Sequence, residues 1–210
     1  MSWQFSTPAI VARETTARLV GPLVSALVGG PRVVGREHLD DLGGPFLICP
    51  NHSSHLDVST LRLALGRRHR RRLAAAAAED YFFTGHRSRA FLAAWLGGFA
   101  FRRRGANPGS VAEIDRLLDA GWSVLLFPEG TRSRDGAIAP FKPGIGLIAT
   151  RTGRPVVPVR IDGLHAVLAP GRRLPHRGRV EVRFGQALRA RPGEGPREFT
   201  ARLEAVVRAL

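Results

Sequence analysis

A single cysteine, Cys49, occurs in 210 residues, which excludes an internal disulfide and points to a reducing compartment. Lysine is as scarce: of 32 basic residues only Lys142 is one, the others being arginine. Acidic residues number 17, leaving a formal charge of +15. Aromatics make up 7% and do not interleave with the basic runs, which argues against the stacking platforms of a single-strand nucleic-acid binder. The uncharged stretch from Leu19 to Pro31 is too short to span a bilayer. The opening "MSWQFSTPAIVARE" lacks the basic start and apolar core of a secretory signal. Internal repeats and low-complexity linkers are also missing. What stands out is the positive charge, part of it a compositional preference for arginine. It implies an acidic partner: nucleic acid, an anionic membrane or a phosphate-bearing substrate.

Hydrophobic residues make up 44% of the chain and charged residues 23%, enough for a packed core. Residues 8–28 carry apolar side chains at Ile10, Val11, Leu19, Val20, Leu23, Val24, Leu27 and Val28, a spacing that predicts a helix ended by "GGP". Such a helix either lies in a membrane interface or packs on the body of the protein. From residue 31 onward, short apolar runs alternate with helical patterns. Strands are predicted at "RVVG", "FLIC", "LAAAA", "FAF", "SVLLF", "VVPVRI" and "VEVRF", with helices near 56–66, 87–96, 109–120, 143–152 and 196–209. This order predicts an α/β fold: a mixed sheet of about seven strands flanked by helices, preceded by an amphipathic helix. The expected organisation is that helix in residues 1–30 and one catalytic domain in 31–210. The run "RRHRRR" at 67–72 reads as a helix end or exposed loop.

Ligands of such sheets collect beyond strand ends. Two apolar strands here run straight into polar loops, "FLICPNHSSHLD" and "SVLLFPEGTRSR", which predicts one site built from both. The stretch "NHSSHLD" admits three readings: a metal site, a base with its orienting acid, or a helix cap. Its spacing is not the helical histidine pair of zinc hydrolases, and no cysteine pair supports a metal. On one regular helix His52 and Asp57 would lie about 140° apart. With His52 in the turn before a helix and Asp57 in its first turn, the carboxylate can fold back onto the imidazole and fix its tautomer. Ser53 or Ser54 would cap that helix, whose N–H groups could hold an oxyanion. His55 reads as a structural hydrogen-bonder. No enzyme nucleophile is evident: Cys49 ends an apolar strand, and Ser53 and Ser54 lack the G-x-S-x-G setting. Direct attack by a substrate hydroxyl or by water fits this pattern.

The second loop supplies Glu129, Arg132 and Arg134 around Gly130; glycine lets a backbone approach a ligand and arginine forks match phosphate geometry. A third patch, "GGFAFRRRG", sets three arginines after a strand. Together these segments resemble the glycerolipid acyltransferase family. The family's N-H-x-S-x-x-D block is matched by Asn51, His52, Ser54 and Asp57, and F-P-E-G-T-R-S stands intact from Phe127 to Ser133. The glycine-to-arginine block resembles "GGFAFRRRG", aligned as Gly97 with Arg103 or Gly98 with Arg104. The block with a central proline resembles "VVPVRIDG", with Pro158. The four blocks occur in family order from about residue 45 to 163.

The resemblance implies an O-acyltransferase in which His52 is the base and Asp57 orients it. The acceptor would be a lysophospholipid such as 1-acylglycerol-3-phosphate, and the donor acyl-CoA or acyl-carrier protein, with no metal or other cofactor. Glu129, Gly130, Thr131, Arg132 and Arg103 or Arg104 would bind substrate. The short N-terminal segment predicts a peripheral, monotopic enzyme with an interfacial helix near residues 8–28, in contact with an anionic membrane at its cytoplasmic face. No nucleic-acid partner is expected. Other lysolipid acceptors, a thioester hydrolase and a basic nucleic-acid-binding protein are the alternatives.

Overall fold

All seven apolar runs become strands of one mixed sheet. The computed structural model describes residues 3–27, 29–78, 91, 94–101, 108–172 and 174–210. The strands are β1 (Arg32–Val34), β2 (Leu47–Pro50), β3 (Leu73–Ala78), β4 (Gly98–Phe101), β5 (Ser123–Leu125), β6 (Val156–Asp162) and β7 (Glu181–Phe184). Their spatial order is β1-β7-β6-β2-β5-β3-β4. The five strands from β6 to β4 run parallel, β7 is antiparallel to β6, and β1 is parallel to β7.

Side chains alternate across a strand, so neighbouring residues of β2 serve two cores. Leu47 and Cys49 face one core, with Ile114, Ile148, Phe199 and Leu203. Ile48 faces the other, with Leu39, Leu61, Leu65 and Leu164. The helices supplying these layers are α2 (Asp57–Ala64), α3 (Gly66–Arg70), α4 (Pro108–Asp119), α5 (Gly144–Thr152), α6 (Leu164–Val167) and α7 (Pro196–Ala209). Four of the predicted helices match α2, α4, α5 and α7 to within two residues. The fifth, near 87–96, lies largely outside the described residues. The "RRHRRR" run is a helix end, as expected: it closes α3 and continues into the turn at Arg71 and Arg72. Neither α6 nor the 3-10 turns at Trp3–Phe5 and Arg36–Leu42 is long enough to leave a periodicity in the sequence.

The first helix, α1 (Thr7–Leu27), accommodates Pro22 in its interior. It is amphipathic in an unexpected way, because its inward face carries charges. Arg13 and Glu14 are buried. Arg13 donates from Nε to the Trp95 carbonyl at 2.6 Å and from Nη2 to the Gln4 carbonyl at 2.8 Å. Glu14 accepts from Arg70 Nη2 at 2.9 Å. Val11, Leu19, Val20 and Leu23 of the same helix are exposed. Among the described residues no helix is long and apolar enough to cross a membrane.

Because β2 and β5 are parallel neighbours, the loops that follow them emerge side by side at the same edge of the sheet.

Candidate active site

The loop after β2 is held open by side chains standing in for backbone. Asn51 extends the β2–β6 ladder beyond Pro50: its Oδ1 accepts the Ile161 N–H at 2.7 Å and its Nδ2 donates to the Ile161 carbonyl at 2.9 Å. Next along the chain, the His52 backbone is fixed from the second loop. Its N–H donates to Glu129 Oε1 at 2.7 Å, and its carbonyl accepts the Ser133 N–H at 2.8 Å.

His52 and Asp57 meet as the spacing predicted, with the histidine in the turn and Asp57 opening α2. The Nδ1 to Oδ2 distance is 2.7 Å. The same oxygen accepts the N–H groups of Ser53 at 2.7 Å and Ser54 at 2.9 Å. Asp57 is fully buried, while the His52 side chain is 20% exposed. A carboxylate on Nδ1 selects the tautomer whose free lone pair is on Nε2. Phe127 stacks on the imidazole, with centroids 3.8 Å apart and planes inclined by 19°. Among the described residues no three His, Cys, Asp or Glu side chains are grouped to hold a metal ion.

The helix-start expectation needs correcting. Neither serine caps α2; Ser54 Oγ donates to the Leu168 carbonyl at 2.7 Å and accepts the Leu56 N–H at 3.2 Å, one residue before the helix begins. The Ser53 and Ser54 amides face the Asp57 carboxylate, so they are not free to hold an oxyanion.

Glu129 is 2% exposed, and both of its oxygens accept backbone N–H groups, Oε2 taking that of Ala139 at 2.9 Å. It therefore ties the two loops together instead of lying in the groove with substrate. Burial raises its pKa above the ordinary carboxylate value, while the amides of Ala139 and His52 pull it back and Asp57 adds to the rise. Gly130 turns the loop with φ of 71°. Thr131 and Arg132 line the groove beside His52. The Arg132 guanidinium lies against the His55 ring. Burial first, then the charges of Arg132 and His52, lowers the His55 pKa, with Asp57 opposing. Arg103 and Arg104 lie outside the described residues.

The groove has a volume of about 1040 Å³. His52, Thr131, Arg132 and Lys142 are among its polar lining, while Ala75–Ala78, Phe101, Leu126, Ile145 and Ile148 give it a long apolar wall. Such a shape suits an acyl chain with a polar, anionic end near the imidazole. Sequence reasoning passed over Phe127, although it begins the F-P-E-G-T-R-S block, and Lys142, whose rarity was the one available signal.

The same pattern recurs in known proteins. The family model described as Acyltransferase matches residues 30–162. A 1-acyl-sn-glycerol-3-phosphate acyltransferase of Brassica napus, BAT2, is 33% identical over 149 residues, covering 66% of this chain and 39% of that protein. The alpha form of 1-acyl-sn-glycerol-3-phosphate acyltransferase from Bos taurus is 30% identical over 143 residues, covering 66% of this chain and 47% of that protein. The matched segment thus spans less than half the length of these relatives. The crystal structure of the 1-acyl-sn-glycerophosphate acyltransferase PlsC from Thermotoga maritima superposes with a TM-score of 0.71 at 25% identity, covering 94% of this chain and 79% of that one. With its His–Asp pair, its intact second loop and six of its seven strands inside residues 30–162, the chain belongs to the acyltransferase family.

Proposed function

We propose that the protein transfers a fatty acyl group from a thioester, acyl-CoA or acyl-carrier protein, to the free hydroxyl of 1-acylglycerol-3-phosphate, giving phosphatidate. The observation that carries this reading is the Asp57-oriented His52 imidazole at the polar end of a long apolar groove. His52 Nε2 takes the hydroxyl proton as the acceptor oxygen attacks the thioester carbonyl. The buried Asp57 carboxylate stabilises the imidazolium formed. As the tetrahedral intermediate collapses, the C–S bond breaks and the imidazolium returns its proton to the departing thiolate, leaving an ester and a thiol. The substrate hydroxyl is the nucleophile throughout, so no acyl-enzyme forms. Four relatives or neighbours with this activity in their names support the choice of acceptor. The exposed apolar side of α1 and the charge of +15 support action at an anionic membrane surface, the source of such an acceptor.

The test is thiol release from palmitoyl-CoA by purified protein, with and without lysophosphatidate, beside His52→Ala. Release that requires acceptor and His52, with phosphatidate formed, is the expected result. The variant should lose roughly 10³-fold or more in kcat. Release indifferent to acceptor would replace this reading with a hydrolase.

A further inference from the structure

Lys142 is the groove cation that no motif singled out. Among the described residues, three lysine or arginine side chains line this cavity: Arg132, Lys142 and Arg197. Arg132 lies against His55, while Arg197 is exposed and has no hydrogen bond or ion pair among the described residues. The Lys142 ammonium has no hydrogen bond or ion pair among the described residues.

Its placement is nonetheless constrained. The Lys142 backbone N–H donates to the Pro128 carbonyl at 2.9 Å, and the side chain then crosses Gly130. A Cβ at position 130 would come within 2.6 Å of Nζ, 3.1 Å of Cε and 3.2 Å of Cδ. Glycine at 130 thus serves two ends: it adopts φ of 71° and it clears the path of the lysine stem. The neighbouring Glu129 carboxylate bonds the His52 N–H, so one short loop sets the position of the ammonium relative to the imidazole. In a chain whose other basic residues are all arginine, a lysine stands where the side chain passes over Gly130.

We propose that Lys142 is a specificity-determining residue of this site, its ammonium pairing with the acceptor's phosphate monoester while His52 acts on the hydroxyl. This rests on the acceptor reading above. A phosphate held beside Gly130 anchors the polar end of a lysophospholipid whose tail follows the apolar wall, and selects it over uncharged acylglycerols.

Two measurements test the role. In steady-state kinetics, Lys142→Met should raise the KM for lysophosphatidate roughly tenfold or more, as loss of a charge-assisted bond requires. Its kcat and its KM for palmitoyl-CoA should stay within about threefold of wild type. A fall confined to kcat, or a rise confined to the donor KM, would overturn the proposal. The second measurement needs no turnover, and so separates failure here from failure of the acceptor reading. Lys142 is the sole lysine, so reductive methylation followed by peptide mass analysis reports on this amine. Glycerol 3-phosphate should slow its modification and glycerol should not. Equal modification rates in both would overturn the assignment.

Discussion

Asp57 gathers three donors on Oδ2, while its buried Oδ1 has no hydrogen-bond partner among the described residues. Geometry and charge can therefore be separated by one substitution. In Asp57→Asn the amide oxygen can take the place of Oδ2 and keep the loop, but the negative charge facing an imidazolium is gone. The amide nitrogen also enters a buried place without an acceptor, costing about 1–3 kcal/mol. The expected outcome is a kcat lower by about 10³-fold, with a folded protein whose melting temperature falls by a few degrees. Circular dichroism and single-turnover acylation check the two halves; near-normal kcat would show that the aspartate only shapes the loop. The His52–Asp57 pair was legible because five-residue spacing excludes a shared helix face and leaves the turn-and-helix geometry. Glu129 was not legible in the same way. Its motif marks it as important, yet a carboxylate that binds two amides across loops and one that faces substrate look identical in a string of letters.

Among the elements, strands were the most legible, since each is a short apolar run bounded by turn residues, and all seven occur where expected. The packing of α1 was not. Apolar spacing marked the helix but not how it docks: buried Arg13 donates to the Trp95 and Gln4 carbonyls and Glu14 meets Arg70, so these charges hold the helix in place. The apolar residues Val11, Leu19, Val20 and Leu23 are left outward. Nearby, Trp3 stacks on Phe91 and Phe91 on Trp95, with centroids 6.2 and 6.0 Å apart. An interfacial role for this side predicts that Leu19→Asp with Leu23→Asp weakens sedimentation with phosphatidylglycerol vesicles by roughly tenfold or more, since each leucine contributes about 2 kcal/mol when it leaves water. Activity on detergent-dispersed substrate should persist. Unchanged vesicle binding would show that the exposed face is not the one that meets lipid.

At the scale of the whole molecule, β2 links fold and site: it is the central strand, it divides the two cores, and it delivers Asn51 and His52 at its end. Cys49, in that strand, is fully buried, and burial pushes its thiol pKa far above the ordinary range. Unfolding returns the thiol to water, where it ionises near about 8.5. Above that pH the unfolded chain releases a proton that the folded chain keeps, so stability falls as pH rises. Below it both states hold the proton and the group adds no pH dependence. Denaturant unfolding of wild type from pH 7 to 10 should therefore lose stability relative to Cys49→Ala, by about 1.4 kcal/mol per pH unit once the unfolded thiol is ionised. Native protein should also resist alkylation at pH 8 until denaturant opens the sheet. Parallel pH curves for the two proteins, or rapid alkylation without denaturant, would mean that the strand carrying the site opens without global unfolding.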